Sequence, residues 1–242
     1  FNLTTMIYLK KLAIFLFDLI DYYIHQKNII KALKKEKLKI EIFFDIGAHK
    51  GKYTDLLFEE YNIKKAYLFE PQVKMYNFIK EKYKDNNFIN VYNQGVSNKT
   101  ENVLFYINKH NLTSSIKRLN PKNKYLNLKS KLFSTNLDGM IENNLNIKTI
   151  KLEEFFLENN ILNIDLIKID TEGHEYEVLA GLEGKIKFIK AFLIEFHDDE
   201  TYLNYSSNKI EKILLKNNFF LKKKIKFPFT TWEDRLYLNN GV

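Results

Sequence analysis

From residue 41 onward, short apolar runs alternate with segments whose apolar residues recur every three or four positions. Residues 42–46 form an apolar run that ends at a glycine-bearing turn, which predicts a buried strand. Residues 52–61 read as a helix. Residues 65–70 read as a second strand stopped by Pro71, a residue suited to the first turn of the next helix, which runs to about Lys84. Residues 88–93 make a third strand. Alternation at this spacing predicts a parallel sheet with helices on both faces.

Residues 98–146 are less regular. Residues 103–107 suit an extra strand, and 108–136, rich in Asn, Ser and Lys, read as a long loop or lid. Regularity then resumes, with strands at 148–151, 165–170 and 191–196 and helices at 153–159, 174–183 and 207–217. Ser206 or Ser207 would cap the last helix. Residues 219–227 and 235–238 read as two closing strands around a turn at Pro228. There is no internal repeat. The chain thus divides into an N-terminal segment, 1–40, and a main α/β domain, 41–242, carrying 98–146 as an irregular insertion.

The N-terminal segment reads as a helix over 5–37. Leu9, Leu12, Ala13, Leu16, Phe17, Ile20 and Ile24 fall on one stripe. Three occupants suit that stripe: the main domain, a second copy in a homodimer, or a membrane surface, the last favoured by Lys31, Lys34, Lys35, Lys37 and Lys39. The apolar run 13–17 is bracketed by Lys10, Lys11, Asp18 and Asp21, too closely for a signal core or a membrane span. A cytoplasmic protein is expected, with peripheral membrane contact as the alternative.

Composition narrows the chemistry. Of 242 residues, 45% are hydrophobic and 28% charged, enough for a sizeable core and too apolar for wholesale disorder. The absence of cysteine excludes disulfides, zinc ribbons, iron–sulfur clusters and thiol catalysis. The net charge of +8 admits nucleic acid, anionic lipid or acidic substrates. The crowding of Lys, Asn, Ile, Phe and Tyr has a plainer source in the codon bias of an AT-rich genome.

Three places carry chemistry. The first is the turn from Asp45 to Thr54, with glycines at 47 and 51. Its G-x-x-x-G spacing fits neither the dinucleotide fingerprint nor the phosphate loop. Asp45 would repel phosphates and could hold an ammonium. The second is Glu70, ending the next strand, where a carboxylate can accept hydrogen bonds from both hydroxyls of a ribose. A bland alternative is a carboxylate favoured at a helix N-terminus. Together these two features describe a nucleoside with a cationic amino-acid end and no phosphate, a description that S-adenosylmethionine fits. The third is the run 167–175, where Asp170, Glu172, His174 and Glu175 concentrate acid and base groups after a strand. Helix capping explains one of these carboxylates but strains to explain three.

The set Asp45-Ile-Gly47-Ala-His-Lys-Gly51, Phe69-Glu70-Pro71, Thr113-Ser114-Ser115 and Leu166-Ile-Lys168-Ile-Asp170-Thr-Glu172-Gly173-His-Glu175 resembles the FkbM family of S-adenosylmethionine-dependent methyltransferases. The likeness covers roughly residues 41–197. It implies the Rossmann-like seven-stranded methyltransferase sheet, mostly parallel with an antiparallel last strand. It also implies methylation of a hydroxyl on a sugar, glycan or similar small polyhydroxyl acceptor. By this resemblance Asp45, Gly47 and Gly51 line the methionine end of the cofactor, with Ala48, His49 and Thr54 in the same turn. Glu70, beside Pro71, holds the ribose, and Gly95, Val96 and Ser97 lie by the adenine.

Asp170 would face the reacting centre and touch the cofactor. The candidate bases are His174 and Asp170, then Glu172 and His197. Ser114, Ser115, Glu175 and Glu195 would border the acceptor. No metal is assigned, although His197-Asp198-Asp199-Glu200 and the cluster at Asp170 are oxygen-rich enough for Mg or Ca. Two alternatives to this reading use the basic surface: a nucleic-acid-binding protein and an RNA methyltransferase.

Overall fold

The computed structural model describes residues 21–108, 114–123, 126, 141–228, 230 and 232–240. Residues 5–20 of the expected N-terminal helix, Thr113 and most of the expected lid lie outside the described residues.

Ten strands form, β1 (Ile42–Ile46), β2 (Lys65–Phe69), β3 (Ile89–Tyr92), β4 (Gly95–Ser97), β5 (Asn102–Asn108), β6 (Ile141–Lys151), β7 (Ile164–Ile169), β8 (Ile189–Phe196), β9 (Phe219–Lys226) and β10 (Glu233–Asn239). Seven of them make one sheet in the order β3-β2-β1-β7-β8-β10-β9. β10 runs antiparallel to both of its neighbours, while the β3, β2, β1, β7 and β8 pairings are parallel. This is the expected methyltransferase sheet with its antiparallel last strand. Strand order reverses between β1 and β7, and in such sheets the crevice for ligands opens at the carboxyl ends of the strands flanking that point.

Both faces of the sheet are covered, so its central strands read as continuous apolar runs. Successive side chains point to opposite faces. Phe44, Ile46, Phe69, Ile167, Ile169, Phe192 and Ile194 pack towards α4 (Leu152–Glu158), α5 (Glu175–Ala180) and α6 (Ser207–Lys216). Phe43, Ala66, Leu68, Leu166, Ala191 and Leu193 pack towards α1 (Lys27–Lys35), α2 (Lys52–Glu60) and α3 (Val73–Lys82). Phe44 stacks on Tyr67 and meets Phe155 and Phe156 edge-on. Burial of each such aromatic ring contributes about 1.5–3 kcal/mol.

Over its described part, the N-terminal helix lies on this second face. A π-helical turn, Asp21–Gln26, leads into α1, and Ile29, Ile30, Ala32 and Leu33 are buried. His25, 1% exposed, bonds Asp234 Oδ2 at 2.6 Å and packs beside Phe227 and Trp232. The Tyr53 hydroxyl donates to the same Asp234 oxygen at 3.0 Å. Among the described residues no helix is long and apolar enough to cross a membrane.

Several boundaries differ from the sequence reading. The irregular stretch contains a second sheet, in which β6 pairs antiparallel with β5 and parallel with β4. β6 begins at Ile141 rather than 148, because Asn143, Asn144 and Asn146, poor strand formers, fill exposed positions and mask its alternation. Pro71 precedes α3 instead of opening it: Gln72 is the N-cap, and the Pro71 carbonyl accepts a bond from Asn93 Nδ2. The helix expected over 174–183 stops at Ala180, and a 3-10 turn, Glu183–Phe188, follows. Gly181 sits where an added Cβ would come within 2.2 Å of the Ser97 carbonyl oxygen, so close packing on β4 fixes that end. Ser206 is the N-cap of α6 but its side chain makes no capping bond; Asp199 Oδ1 accepts from the Ser207 N–H instead.

Candidate functional site

Strand register assembles the site. Ile46 pairs with Phe69 on one side and Ile169 on the other, and Ile169 pairs with Ile194. The residues one step further, Gly47, Glu70, Asp170 and Glu195, therefore emerge side by side at the carboxyl edge. A cleft of about 140 Å³ opens there, lined by the first three of these together with His49, Pro71, Gly95, Val96, Ser114, Glu172 and His174. Gln72, Gln94, Phe105, Ile116 and Thr171, which the sequence did not single out, complete much of its wall. Among the described residues that line it there is no lysine or arginine. The cleft is acidic and suits a cationic ligand better than a polyphosphate.

The first turn is fastened by Glu70. Its Oε2 accepts the His49 N–H at 2.9 Å and its Oε1 accepts the Gln72 N–H at 2.8 Å. Each oxygen keeps a second lone pair. Burial pushes this carboxyl up to about 7, despite the two N–H bonds. The turn itself needs left-handed backbone at Gly47, His49 and Gly51. At Gly47 the approach is closest: a Cβ would stand 1.8 Å from the Asp170 carbonyl oxygen. At Gly51 a Cβ would strike the Tyr83 hydroxyl, 2.3 Å away, so that glycine serves packing and does not line the cleft. Ala48 is buried below the turn.

Asp45 and Thr54 also lie behind the wall. Asp45 is 1% exposed, accepts the Thr54 hydroxyl at 2.8 Å, and its other oxygen has no hydrogen-bond partner. Burial raises its pKa, against the pull of Lys168. It makes no surface for a ligand. Lys168 is the residue the sequence displayed without a role. It is the one basic residue in the otherwise apolar and acidic strand β7, is 3% exposed, and bonds Asp170 Oδ2 at 2.8 Å. Its ammonium also lies 4.0 Å from Asp45 and over the Tyr53 ring. Burial works against the charged form of Lys168, but the paired carboxylates outweigh it and raise its pKa.

The second turn carries the acidic cluster. Burial and the neighbouring Asp170 charge push Glu195 well above the carboxylate range. Burial also opposes ionisation of Asp170, but Lys168 and the bond from Glu195 hold it down. Asp170, Glu172 and Glu195 each bring an oxygen within 4.8 Å of the others. The Tyr202 hydroxyl donates to Glu172, and Tyr202 was not legible as a site residue because it arrives from a distant loop.

Glu175 is different. It is fully buried and its Oε1 accepts from the Thr171 N–H, the Thr171 hydroxyl and the Gly173 N–H. It ties the turn and presents no surface to an acceptor. Ser115, also placed beside the acceptor by the sequence reading, is 1% exposed and donates to the Glu172 carbonyl at 2.6 Å, again fixing the turn. Ser114 does reach the cleft.

Burial disfavours the charged form of three histidines around the site. His49, His174 and His197 are each pushed down to about 4. His174 Nε2 bonds the Ser97 hydroxyl at 2.9 Å, which explains why Ser97 sits behind the cleft. His197 flanks Glu172. Asp198 and Asp199 are committed to loop N–H groups: Asp198 Oδ1 accepts from Glu200 and Asp199 Oδ1 from Ser207. They stand apart from the acidic cluster.

Comparison with known proteins fits this geometry. A hexuronic acid methyltransferase, AglP, of Haloferax volcanii is 32% identical over 56 residues, 23% of this chain and 23% of that protein. The crystal structure of an FkbM methyltransferase from Methylobacillus flagellatus superposes with a TM-score of 0.51 at 16% identity, covering 83% of this chain and 44% of that one. A magnesium protoporphyrin IX methyltransferase from Synechocystis, solved with S-adenosylmethionine bound, gives a TM-score of 0.48 at 11% identity over 89% of this chain and 78% of that one. The chain thus spans under half the length of the first two proteins it matches. The family model described as the methyltransferase FkbM domain matches residues 45–221, well over half of the sequence. With the sheet, the acidic cleft and that match in agreement, the chain belongs to the FkbM family of S-adenosylmethionine-dependent methyltransferases.

Proposed function

We propose that this protein transfers the methyl group to a hydroxyl oxygen of a sugar or glycan. The observation that carries this reading is the acidic cleft, with Glu70 at one end and Asp170 and Glu172 at the other, and no basic residue among its described lining. The short match to a hexuronic acid methyltransferase supports a sugar acceptor.

When bound, S-adenosylmethionine supplies a methyl group on a positively charged sulfur. The chain's own residues then have three tasks. Glu70 accepts the two ribose hydroxyls on its spare lone pairs, each charge-assisted bond contributing about 1.5–3 kcal/mol. Asp170, kept ionised by Lys168, faces the positive end of the donor. Glu172 and Asp170 accept a hydrogen bond from the acceptor hydroxyl and aim its oxygen along the line of displacement, where positioning supplies several kcal/mol. His174 and His197, with pKa values near 4, are weak bases, so the reading gives them a lesser part than the sequence did.

A transfer assay with radiolabelled methyl donor tests this. Hexuronic acids, neutral sugars, glycolipids and RNA form the panel. Labelled product from a sugar or glycan arm, stable to conditions that cleave methyl esters, is the expected result. Label confined to RNA, or to a carboxylate as a base-labile ester, overturns it.

A further inference from the structure

The geometry points to a divalent cation site, of the Mn²⁺ type, formed by the carboxylates of Asp170, Glu172 and Glu195 with the imidazole of His197. The three carboxylates come from the ends of two neighbouring strands and the turn between β7 and α5, and each places an oxygen within 4.8 Å of the other two. Two ligands on one octahedral ion at roughly 2.1 Å stand about 3 Å apart when adjacent and about 4.2 Å apart when opposite. At most one of the three pairs can be opposite, so the others must close to about 3 Å, and a pair at the 4.8 Å limit draws in by up to about 1.8 Å.

A second observation is independent of the carboxylates. The His197 side chain is 6% exposed, and its Nε2 is buried without a hydrogen-bond partner, 3.8 Å from Glu172 Oε2 and 4.0 Å from Glu175 Oε1. A buried imidazole nitrogen is costly to leave unpaired. Its ring is fixed from both sides by Tyr202 and Tyr205, and the Tyr205 hydroxyl accepts the His197 backbone N–H at 3.0 Å. The nitrogen therefore cannot turn away to find another partner. Three oxygens and one imidazole nitrogen favour Mn²⁺ over the all-oxygen preferences of Mg²⁺ and Ca²⁺. Lys168 donates to Asp170 Oδ2 at 2.8 Å, and an ion would take the place of the hydrogen bond between Glu195 and Asp170.

The site deepens the methyltransferase reading, and its purpose rests on it. Asp170 and Glu172 also line the cleft, so an ion held by them can take an acceptor hydroxyl as a further ligand. Coordination lowers the pKa of a bound hydroxyl. Its proton then leaves to water, the oxygen bonds the methyl carbon as the carbon–sulfur bond breaks, and the sulfonium departs as a neutral thioether. The ion thereby supplies the activation that the weakly basic histidines do not.

The test is a Mn²⁺ titration of the full chain followed by electron paramagnetic resonance, with and without S-adenosylhomocysteine. About one Mn²⁺ per chain, half-saturating below about 100 µM, is expected. Glu172→Gln and Glu195→Gln should each weaken it about tenfold or more, with circular dichroism confirming the fold. Glu70→Ala, at the other end of the cleft, should leave Mn²⁺ binding unchanged. Folded wild-type protein that binds S-adenosylhomocysteine but takes up no Mn²⁺ overturns the metal site and leaves the cofactor reading standing. Mn²⁺ displaced by S-adenosylhomocysteine also overturns it, by showing that the cluster receives the cofactor's ammonium. Mn²⁺ bound by protein that ignores S-adenosylhomocysteine upholds the metal site and removes the cofactor reading.

Discussion

The two turns that flank the cleft solve the same local problem and end with different duties. Each leaves a central strand, each contains left-handed backbone, and each is fastened by a buried glutamate that accepts main-chain N–H groups. Burial lifts both carboxyls to about 7. Yet Glu70 lines the cleft and Glu175 has no surface at all. A perturbed carboxyl surrounded by donors is therefore not by itself a binding group; access to the cleft separates the two.

The largest effect that would sharpen this contrast is on stability. Glu175→Ala leaves the Thr171 and Gly173 N–H groups and the Thr171 hydroxyl without their shared acceptor, at about 1–3 kcal/mol apiece, so a total near 4 kcal/mol is expected. For a chain of this size that lowers Tm by about 8–16 °C in a thermal melt. Glu70→Ala frees two N–H groups beside an open cleft, where water can replace the carboxylate, and should cost less than half as much. Equal losses in the two variants would break the comparison.

Next in size is cofactor affinity. Glu70→Ala should weaken S-adenosylmethionine binding by about tenfold or more in titration calorimetry, the cost of one to two charge-assisted bonds. If the affinity does not move, the ribose is held elsewhere. The smallest effect is its pH dependence. A carboxyl at about 7 is mostly protonated at pH 6 and mostly ionised at pH 8. Only the ionised form offers all its lone pairs, so affinity should tighten by up to about tenfold between those values and flatten in Glu70→Ala. Affinity that falls with rising pH contradicts the assignment.

Much of this architecture was written in local patterns. The apolar runs that became β1, β2, β7 and β8 are buried on both faces, which makes them continuous and easy to see. Their mutual register then brings Gly47, Glu70, Asp170 and Glu195 to one edge, so three of these stood out as strand-end residues before any contact was known. What failed to show was set by partners far away in the chain. β6 is half exposed and filled with asparagine, so its pairing with β5 decides its conformation against its propensity. Glu70 and Glu175 look alike in sequence; only packing assigns one to the cleft. Lys168 was visible as a lone positive charge inside strand β7, but its pairing with Asp170 and Asp45 is a property of the folded site. Tyr202 gave no signal, since nothing local says that a loop tyrosine will meet Glu172.

The bond between His25 and Asp234 has a practical side. The family match opens at residue 45, and a protein trimmed to that boundary would lose the imidazole that bonds Asp234 at the start of β10, where Asp234 pairs with Glu195 at the carboxyl edge of the sheet. Asp234 would be left with Tyr53, whose ring carries the ammonium that steadies Asp170. Anyone shortening this polypeptide for expression should therefore keep the stretch from Asp21, because the recognisable module borrows part of its wiring from residues that lie before the family match.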